Sequence, residues 1–331
     1  MNRTKIADIS VYHPARIVPN TELELRLNAR RRILPEGSLE RLFGIRERRF
    51  AAADEQVSDL AAKAALPIVQ RIGADRIECL IFAAACADLI EPATCNIVQH
   101  KLGLRCPAMD IKNACNSFTS ALMTAGSLVA SGMYKNVLVV NGEKLSDAIR
   151  FDIDTEEQLR RHLAAYSLGD AGAAALVTAS DDDSGFHFQR FMTLGEHWEL
   201  CTIKGGGSMF PHDPDQNYFE GHTDALKTVL ADAATTFFLE CLQEAGWRLS
   251  DIAHVFTHQV SAGTFRLIAN RTGLDFDSCE QVFAHFGNTA AASIPLAIHQ
   301  RLQRGALQKG DKVVLLGLAA GVSVSVQLIV W

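Results

Sequence analysis

The chain has 331 residues, a formal net charge of −6 and a hydrophobic fraction of 48%, which are typical of a globular protein with one large core or two fused halves. The acidic balance argues against nucleic acid as the main partner. The longest apolar stretch, residues 80–87, is too short to cross a bilayer, and the N-terminus lacks an apolar signal region, so we expect a cytoplasmic protein without a membrane partner.

Short apolar runs alternate with segments of helical period along the first half, which is typical of an α/β protein. The pattern predicts strands at residues 77–84, 108–112, 137–140 and 173–178, and helices at residues 93–102 and 115–131. Gly132 follows the second helix at the position where glycine commonly ends helices.

The second half repeats this order, with predicted strands at residues 253–257 and 312–316 and predicted helices at residues 262–272 and 288–303. Each half contains a small-residue helix start, an apolar helix, a glycine, a lysine-bearing turn and an apolar strand. We therefore predict a duplicated α/β protein whose two small-residue helices are central. Two unrelated βαβ units are the alternative. The predicted halves are residues 1–180 and 181–331.

Three polar segments interrupt this pattern. Residues 180–185 are the predicted crossover between the halves, and residues 146–162 and 205–222 are predicted insertions. The last segment contains three consecutive glycines and two prolines, so we expect a loop that shapes a substrate entrance. Its glycines lack the following Lys-Ser/Thr and helix of a phosphate-binding loop, which excludes that motif.

Cys115 is the candidate nucleophile among the eight cysteines. It follows a predicted strand and opens the predicted helix, where free N–H groups and the helix dipole favour a thiolate, lower the pKa and can stabilise an oxyanion. On position alone, a small packing residue is the alternative. No two cysteines have C-x-x-C spacing and no ligand cluster is evident, so we expect no metal and no other cofactor.

His258 and Asn288 are the candidate partners of Cys115. His258 follows a predicted strand of the second half, and Asn288 begins the helix that corresponds to the Cys115 helix. If approximate two-fold symmetry relates the halves, both side chains face the cleft into which Cys115 points. A histidine donor beside an asparagine amide would polarise a thioester carbonyl and hold an enolate.

The sequence resembles the β-ketoacyl-acyl-carrier-protein synthase III branch of the thiolase superfamily. The matching stretches, in family order over nearly the whole chain, are "FGIRERRF" (43–50), "MDIKNACNSFTSAL" (109–122), "LGDAGAAAL" (168–176), "THQVSAGTF" (257–265) and "HFGNTAAASIPLAI" (285–298). The resemblance implies a five-layered αβαβα fold, a homodimer, and a catalytic triad of Cys115, His258 and Asn288.

Three motifs depart from that family. Its coenzyme A site uses a Trp and an Arg shortly before "GIRER", where this chain has no Trp and only Arg41, so at least one substrate is expected on an acyl carrier protein unless coenzyme A binds differently. The "HQAN" signature reads "HQVS" from His258 and loses its asparagine. The glycine-rich C-terminal turn reads "LAAGV" (318–322), in which the backbone N–H of Ala320 would complete the oxyanion hole with that of Cys115.

Glu91 stands before Pro92, where the fatty-acid-initiating enzymes have an apolar residue that reaches the acyl pocket of the partner subunit. An acidic residue there resembles the OleA-type and pyrone-forming condensing enzymes, whose glutamate crosses the dimer interface and acts as the base of a Claisen condensation without decarboxylation. A buried carboxylate of raised pKa suits that role. A solvated loop acid is the alternative.

The sequence thus predicts an acyltransferase that condenses acyl-coenzyme A or acyl-carrier-protein thioesters through an acyl-Cys115 intermediate in fatty-acid-derived or polyketide secondary metabolism. A decarboxylative enzyme that uses a malonyl carrier is the first alternative. A second is a non-condensing acyltransferase to an alcohol or amine, whose usual sign is loss of the triad asparagine. A third is a silent subunit of a heterodimer, against which the intact triad argues.

Overall fold

The computed structural model describes residues 3–30, 32–275 and 278–331. Its strands are β1 (Thr4–Tyr12), β2 (Arg16–Pro19), β3 (Glu47–Phe50), β4 (Cys79–Ala83), β5 (Ala108–Ile111), β6 (Asn136–Glu143), β7 (Ala171–Ala179), β8 (Gly185–Thr193), β9 (Cys201–Thr202), β10 (Glu220–Gly221), β11 (His254–Thr257), β12 (Lys312–Ala319) and β13 (Ser323–Val330). Its α-helices are α1 (Asn20–Leu27), α2 (Ser38–Phe43), α3 (Val57–Ile72), α4 (Thr94–Lys101), α5 (Ser117–Ala130), α6 (Glu156–His162), α7 (Thr223–Ala245), α8 (Ala262–Thr272), α9 (Phe283–Phe286) and α10 (Ser293–Gln303).

Two large mixed sheets share one topology. The first has the strand order β1-β7-β6-β4-β5; β4 pairs in parallel with β5 and β6, and the other pairs are antiparallel. The second has the order β8-β13-β12-β11, with two antiparallel pairs followed by the parallel pair β12–β11. Val255 of β11 also forms an isolated parallel bridge with Cys279. This bridge extends the second sheet beyond β11, as the parallel strand β5 extends the first sheet beyond β4. This repetition supports the halves 1–180 and 181–331, which we retain as a proposal.

The two sheets enclose the small-residue helices. α5 and α10 lie between them and share one apolar core with strands of both sheets. α3 and α4 cover the other face of the first sheet, and α7 and α8 cover the other face of the second. The layers therefore follow the order helix, sheet, helix, sheet, helix. Alanines at the contact faces of α5 let the sheets approach closely, as the predicted central position requires.

The predicted strands and helices are present, and the other elements, among them α3, α7, β8 and β13, are additional to them. Two predicted helix starts are wrong. α5 begins at Ser117 rather than Cys115, and α10 begins at Ser293 after a short 3-10 turn, Ala290–Ala292, rather than at Asn288. In both places a tight turn with an alanine in the left-handed region intervenes before the helix.

The two predicted insertions pack against each other. Phe219 of the second insertion donates its N–H to the carbonyl of Ala148 in the first and accepts a hydrogen bond from His162 Nδ1 through its own carbonyl. Arg150 of the first also pairs with Asp215 of the second. Phe219 of the second insertion also lines the cavity described below.

Candidate active site

A cavity of about 230 Å³ brings the predicted site residues together. Cys115, His258, Asn288 and Ala320 all line it, and they come from four separate segments of the chain. The rest of its wall is mainly apolar and comes from both halves and from the second insertion: Leu145, Ala164, Leu168, Ile203, Phe219, Leu226, Leu230 and Leu318. A reactive end and an apolar wall in one cavity suit a ligand with a polar head and an aliphatic chain.

Cys115 lies in a tight turn between β5 and α5. Ala114 has a φ of 46°, which is uncommon for a residue with a side chain. Ser117 Oγ donates to the carbonyl of Ala114 at 2.7 Å and accepts from the backbone N–H of Asn113 at 2.8 Å. The turn therefore carries its own hydrogen bonds and holds Cys115 toward the cavity.

The resting thiol of Cys115 differs from the predicted thiolate. Burial raises its pKa strongly, and the nearby Glu143 carboxylate and Cys201 thiol raise it further. The backbone N–H groups of Cys115 and Ala320 hydrogen-bond toward the sulfur and oppose this rise in pKa. The prediction of a lowered pKa is wrong for this resting site because desolvation outweighs the helix start. The thiol therefore needs a base to become a nucleophile.

The same two N–H groups, of Cys115 and Ala320, both point to the Cys115 sulfur. β12 ends at Ala319, and the turn through Gly321, whose φ is 111°, leads the chain into β13. Ala320 is thereby held at the sulfur through its backbone, whatever its side chain. Two backbone donors beside a nucleophile are the arrangement that stabilises an oxyanion in acyl transfer.

Asn116, the residue after Cys115, fastens the nucleophile turn to the second half. Its buried side chain donates to the carbonyl oxygen and Oγ of Ser323, at 3.1 and 3.0 Å. Gly317 in β12 makes this contact sterically feasible, because a Cβ there would overlap Asn116 Oδ1. Sequence reasoning missed both residues, although a glycine within the apolar run "VVLLGLA" is a known signal of close backbone approach.

His258 follows β11 and is held through its Nδ1 atom. Nδ1 lies 3.0 Å from Ser293 Oγ, and the carbonyl of Ala290 also hydrogen-bonds the ring. Burial lowers the pKa of His258 to about 4, and the Ala290 carbonyl partly opposes this. The ring is therefore neutral near pH 7 and able to accept a proton.

Asn288 is oriented by hydrogen bonds on its backbone and side chain. Its N–H donates to the carbonyl of Ser167 at 2.7 Å, and its own carbonyl accepts from Gly169 at 3.0 Å. Asn288 Oδ1 accepts from the N–H of Ala290 at 3.0 Å, so Nδ2 is the atom left to donate toward the cavity. One cavity thus brings together the Cys115 thiol, the Asn288 amide as a hydrogen-bond donor and the neutral His258 ring as a proton acceptor.

Glu143 is a second buried acid near Cys115, and sequence reasoning missed it. Its Oε1 accepts from the N–H of Ala85 at 2.9 Å and from Asn141 Nδ2 at 3.2 Å. Burial raises the pKa of Glu143 to about 7, while these donors oppose the rise. Glu143 is not among the cavity-lining residues, so it influences Cys115 by charge rather than by touching a ligand. An acid at the end of the otherwise buried strand "NVLVVNGE" is the signal that could have found it.

Glu91 lies outside this cavity in the described protomer. Its side chain is exposed, and it lines a separate surface groove with Leu89 and Ile90. Lys112 and Ile203 line both this groove and the Cys115 cavity, so the two are neighbours. The structure therefore does not bring Glu91 together with the Cys115 of its own chain.

Two family sequence profiles match the chain. One, described as 3-oxoacyl-[acyl-carrier-protein (ACP)] synthase III, covers residues 109–194, and its C-terminal counterpart covers residues 242–331. The β-ketoacyl-[acyl-carrier-protein] synthase III of Fusobacterium nucleatum subsp. nucleatum is 30% identical over 87% of this chain and 88% of its own length. That of Clostridioides difficile is 31% identical over 87% and 88%. The chain belongs to the β-ketoacyl-acyl-carrier-protein synthase III family.

Solved structures agree with this assignment. OleA of Xanthomonas campestris has a TM-score of 0.91 at 26% identity, covering 100% of this chain and 98% of that one. The synthase III of Aquifex aeolicus has a TM-score of 0.87 at 26% identity, covering 99% and 100%. The predicted thiolase-like fold is confirmed, and so are the predicted class of acyltransferase and the acyl-thioester condensing activity.

Two stretches at which the sequence departs from the expected family motifs are held by hydrogen bonds of their own. Arg41 in α2 is exposed, and its guanidinium donates to the carbonyl of Glu36 and to Ser38 Oγ, both at 3.2 Å. Gln259 of the "HQVS" stretch is buried and holds the backbone of Glu280 and Val282.

Within residues 3–30, 32–275 and 278–331 there is no metal-ligating cluster and no helix long and apolar enough to span a membrane.

Proposed function

We propose that this synthase loads an acyl group onto Cys115 and then joins it to a second thioester by a Claisen condensation that needs no decarboxylation. The observation that carries the proposal is the single cavity on which the Cys115 thiol, the His258 ring, the Asn288 amide and the Ala320 N–H converge. The apolar lining of the same cavity supports an aliphatic acyl chain as the ligand.

In the loading step, Cys115 Sγ attacks the carbonyl carbon of the first thioester. His258 takes the thiol proton, and the carbonyl oxygen becomes an oxyanion held by the N–H groups of Cys115 and Ala320. The tetrahedral intermediate then collapses, the carbon–sulfur bond to the carrier breaks, and the departing thiolate takes the proton back from His258. The products are acyl-Cys115 and a free carrier thiol.

In the condensing step, a base removes a proton from the α-carbon of the second thioester. Asn288 Nδ2 donates to the resulting enolate oxygen, and the α-carbon attacks the acyl-Cys115 carbonyl. The carbon–sulfur bond to Cys115 then breaks, and the proton taken by the base returns to the departing Cys115 thiolate. We assign the base to Glu91 of a second copy of the chain, because Glu91 lies outside the cavity of its own protomer and beside it.

A homodimer is part of this proposal. β5 is an edge strand of the first sheet, and Met109 in it is 37% exposed. Leu89 and Ile90, beside Glu91, are 51% and 83% exposed. Apolar side chains along an unpaired edge suit burial against a second copy, and such burial would also desolvate Glu91 and favour its action as a base.

Two finer proposals concern the molecules that carry the acyl substrates and the metabolism to which the reaction belongs. Arg41 stands where the family has a coenzyme A contact, without the accompanying Trp, and this favours an acyl carrier protein for at least one substrate. We place the reaction in fatty-acid-derived or polyketide secondary metabolism in the cytoplasm. Both statements stay predictions from the sequence.

The test is to incubate the protein with acyl thioesters, with and without a malonyl partner, and to record protein mass and products. We expect an acyl adduct on the wild type and on Glu91→Ala but none on Cys115→Ala, and we expect Glu91→Ala to lose condensation. An adduct on Cys115→Ala would contradict the whole assignment. Condensation by Glu91→Ala at the wild-type rate, or only with malonyl substrates, would favour the decarboxylative alternative.

Mixed dimers test whether Glu91 acts across the interface. Cys115→Ala and Glu91→Ala chains, each inactive alone, are unfolded and refolded together so that half of the dimers are mixed. In a mixed dimer one site has both residues intact only if Glu91 comes from the partner, so about a quarter of the wild-type condensation should return. A mixture that stays inactive would place Glu91 in the site of its own chain or remove it from the reaction.

A further inference from the structure

The hydrogen bonds of Ser293 at the start of α10 define how His258 is held. Ser293 Oγ donates to the carbonyl of Ala290 at 2.8 Å and lies 3.0 Å from His258 Nδ1. A serine hydroxyl has one proton, so once it is given to Ala290 the oxygen can only accept from another partner. The proton between Ser293 and His258 therefore belongs to Nδ1.

The corresponding turn of the first half supports this direction. Ser117 Oγ donates to the carbonyl of Ala114 and accepts from the N–H of Asn113, and a backbone N–H can only donate. Ala114 and Ala290 each precede their serine by three residues and have φ values of 46° and 43°. The two turns are therefore similar in this φ and in the serine-to-alanine hydrogen bond, and in the first turn the serine hydroxyl also accepts from a third group.

We propose that Ser293 is a positioning residue that keeps the proton of neutral His258 on Nδ1, which leaves the lone pair of Nε2 for the Cys115 thiol. This deepens the proposed function and rests on it, because it states why His258 can act as the base of the loading step. Neither Ser293 nor Ala290 has to touch the reacting atoms for this.

The consequence is a defined proton path. Nε2 takes the proton of Cys115 Sγ, the ring becomes an imidazolium with N–H groups on both nitrogens, and Nδ1–H stays bound to Ser293. The Nε2 proton then goes to the departing carrier thiolate, so the ring returns to its first state. The other titratable groups that line the cavity are Lys112 and Cys201. Burial makes the neutral ring the resting form by lowering the pKa of His258 to about 4.

The direct test is nitrogen NMR of the wild-type protein with labelled histidine near pH 7. The His258→Gln variant identifies the His258 signals by their disappearance. We expect the Nδ1-protonated form to dominate in the wild type and to lose that dominance in Ser293→Ala. A wild-type ring protonated on Nε2, or an unchanged ring in Ser293→Ala, would overturn the proposal.

The kinetic test is the rate at which acyl-Cys115 forms, followed by mass. Ser293→Ala should slow this rate about 10- to 100-fold, because a misoriented base costs that much in positioned chemistry. Ser293→Thr keeps the hydroxyl and should recover most of the rate. Ser127→Ala is the matched control, since Ser127 Oγ also donates to a backbone carbonyl, that of Met123. Neither Ser127 nor Met123 lines the cavity, whereas Ser293 contacts His258, which does.

The two failures are distinguishable. If Ser293→Ala acylates at the wild-type rate while Cys115→Ala takes no acyl group, the role of Ser293 is wrong and the proposed function stands. If Cys115→Ala still takes the acyl group at the site, the proposed function itself is wrong. Circular dichroism of each variant separates slow chemistry from loss of fold, and the wild-type NMR result decides the tautomer even if Ser293→Ala does not fold.

Discussion

The turns before the two central helices have similar geometry and different tasks. In the first, Ser117 closes a ring of hydrogen bonds within its own turn, and the result is a presented thiol at Cys115. In the second, Ser293 Oγ also donates to the carbonyl of its alanine, Ala290, but the group from which it accepts is the ring of His258, 35 residues away in the chain. One backbone motif thus presents the Cys115 thiol in one half and, in the proposed mechanism, orients His258 in the other.

The turns also differ in what surrounds them. The nucleophile turn is fastened across the halves by Asn116 and has the acid Glu143 behind it. The turn before α10 is held by backbone hydrogen bonds of Asn288 to Ser167 and Gly169, which lie in a loop of the first half. The first turn therefore depends on the contact between the two sheets, and the second depends on a loop of the first half. Substitutions at these contacts can separate the two dependences.

The largest effect is expected from Gly317→Ala. The added methyl would overlap Asn116 Oδ1 and Ser325 Oγ in the interior, and such overpacking costs about 1–3 kcal/mol or more in the free energy of unfolding. Because Asn116 is the neighbour of Cys115, acylation should fall by a larger factor than the loss of folded protein explains. Urea unfolding and the rate of acyl-Cys115 formation measure the two effects.

Gly263→Ala is the matched control, because a Cβ there meets nothing within 4 Å and lies in the exposed face of α8. It should leave acylation unchanged and alter the free energy of unfolding by at most about 1 kcal/mol, in the stabilising direction. If Gly317→Ala behaves like this control, the fastening of the nucleophile turn by Asn116 is unimportant.

An intermediate effect is expected from Glu143→Gln, and it depends on pH. The pKa of Glu143 is raised from 4.5 to about 7, so the native state binds its proton more tightly than the unfolded state does. The stability from this proton is complete below about pH 4.5 and is lost as the pH rises through 7, with an upper limit of roughly 3 kcal/mol. The variant should therefore gain stability relative to the wild type between pH 5 and pH 8.

The same variant tests how the charge of Glu143 affects the pKa of the Cys115 thiol. Removing the carboxylate takes away a group that raises the pKa of the thiol, so alkylation of Cys115 by iodoacetamide near pH 8 should become faster. Thermal or urea unfolding at several pH values measures the stability difference. A difference that stays flat from pH 5 to pH 8 would mean that Glu143 is not a buried titrating acid.

Much of the fold and the proximity of three predicted site residues follow from the sequence, because both depend on patterns within each half. The strands at β4 and β11 and the helix α8 are short apolar or periodic runs, and their repetition predicts that Cys115, His258 and Asn288 meet. The helices α5 and α10 begin later than predicted, because a left-handed alanine has no sequence signature. The raised pKa of Cys115 does not follow from the sequence, because burial and the charge of Glu143 depend on the assembled halves.

The smallest effect is expected from Ala114→Gly and Ala290→Gly, which compare the two turns directly. Glycine relieves the cost of a left-handed φ but also gives the unfolded chain more freedom, so each variant should change the free energy of unfolding by less than about 1 kcal/mol. Ala114→Val and Ala290→Val should instead destabilise by about 1–3 kcal/mol, because a β-branched residue tolerates such a φ poorly. Urea unfolding of the four variants gives the comparison. Equal valine costs in both halves would support one shared backbone motif, whereas a cost confined to one turn would show that the other relaxes and that the resemblance of the turns ends at their hydrogen bonds.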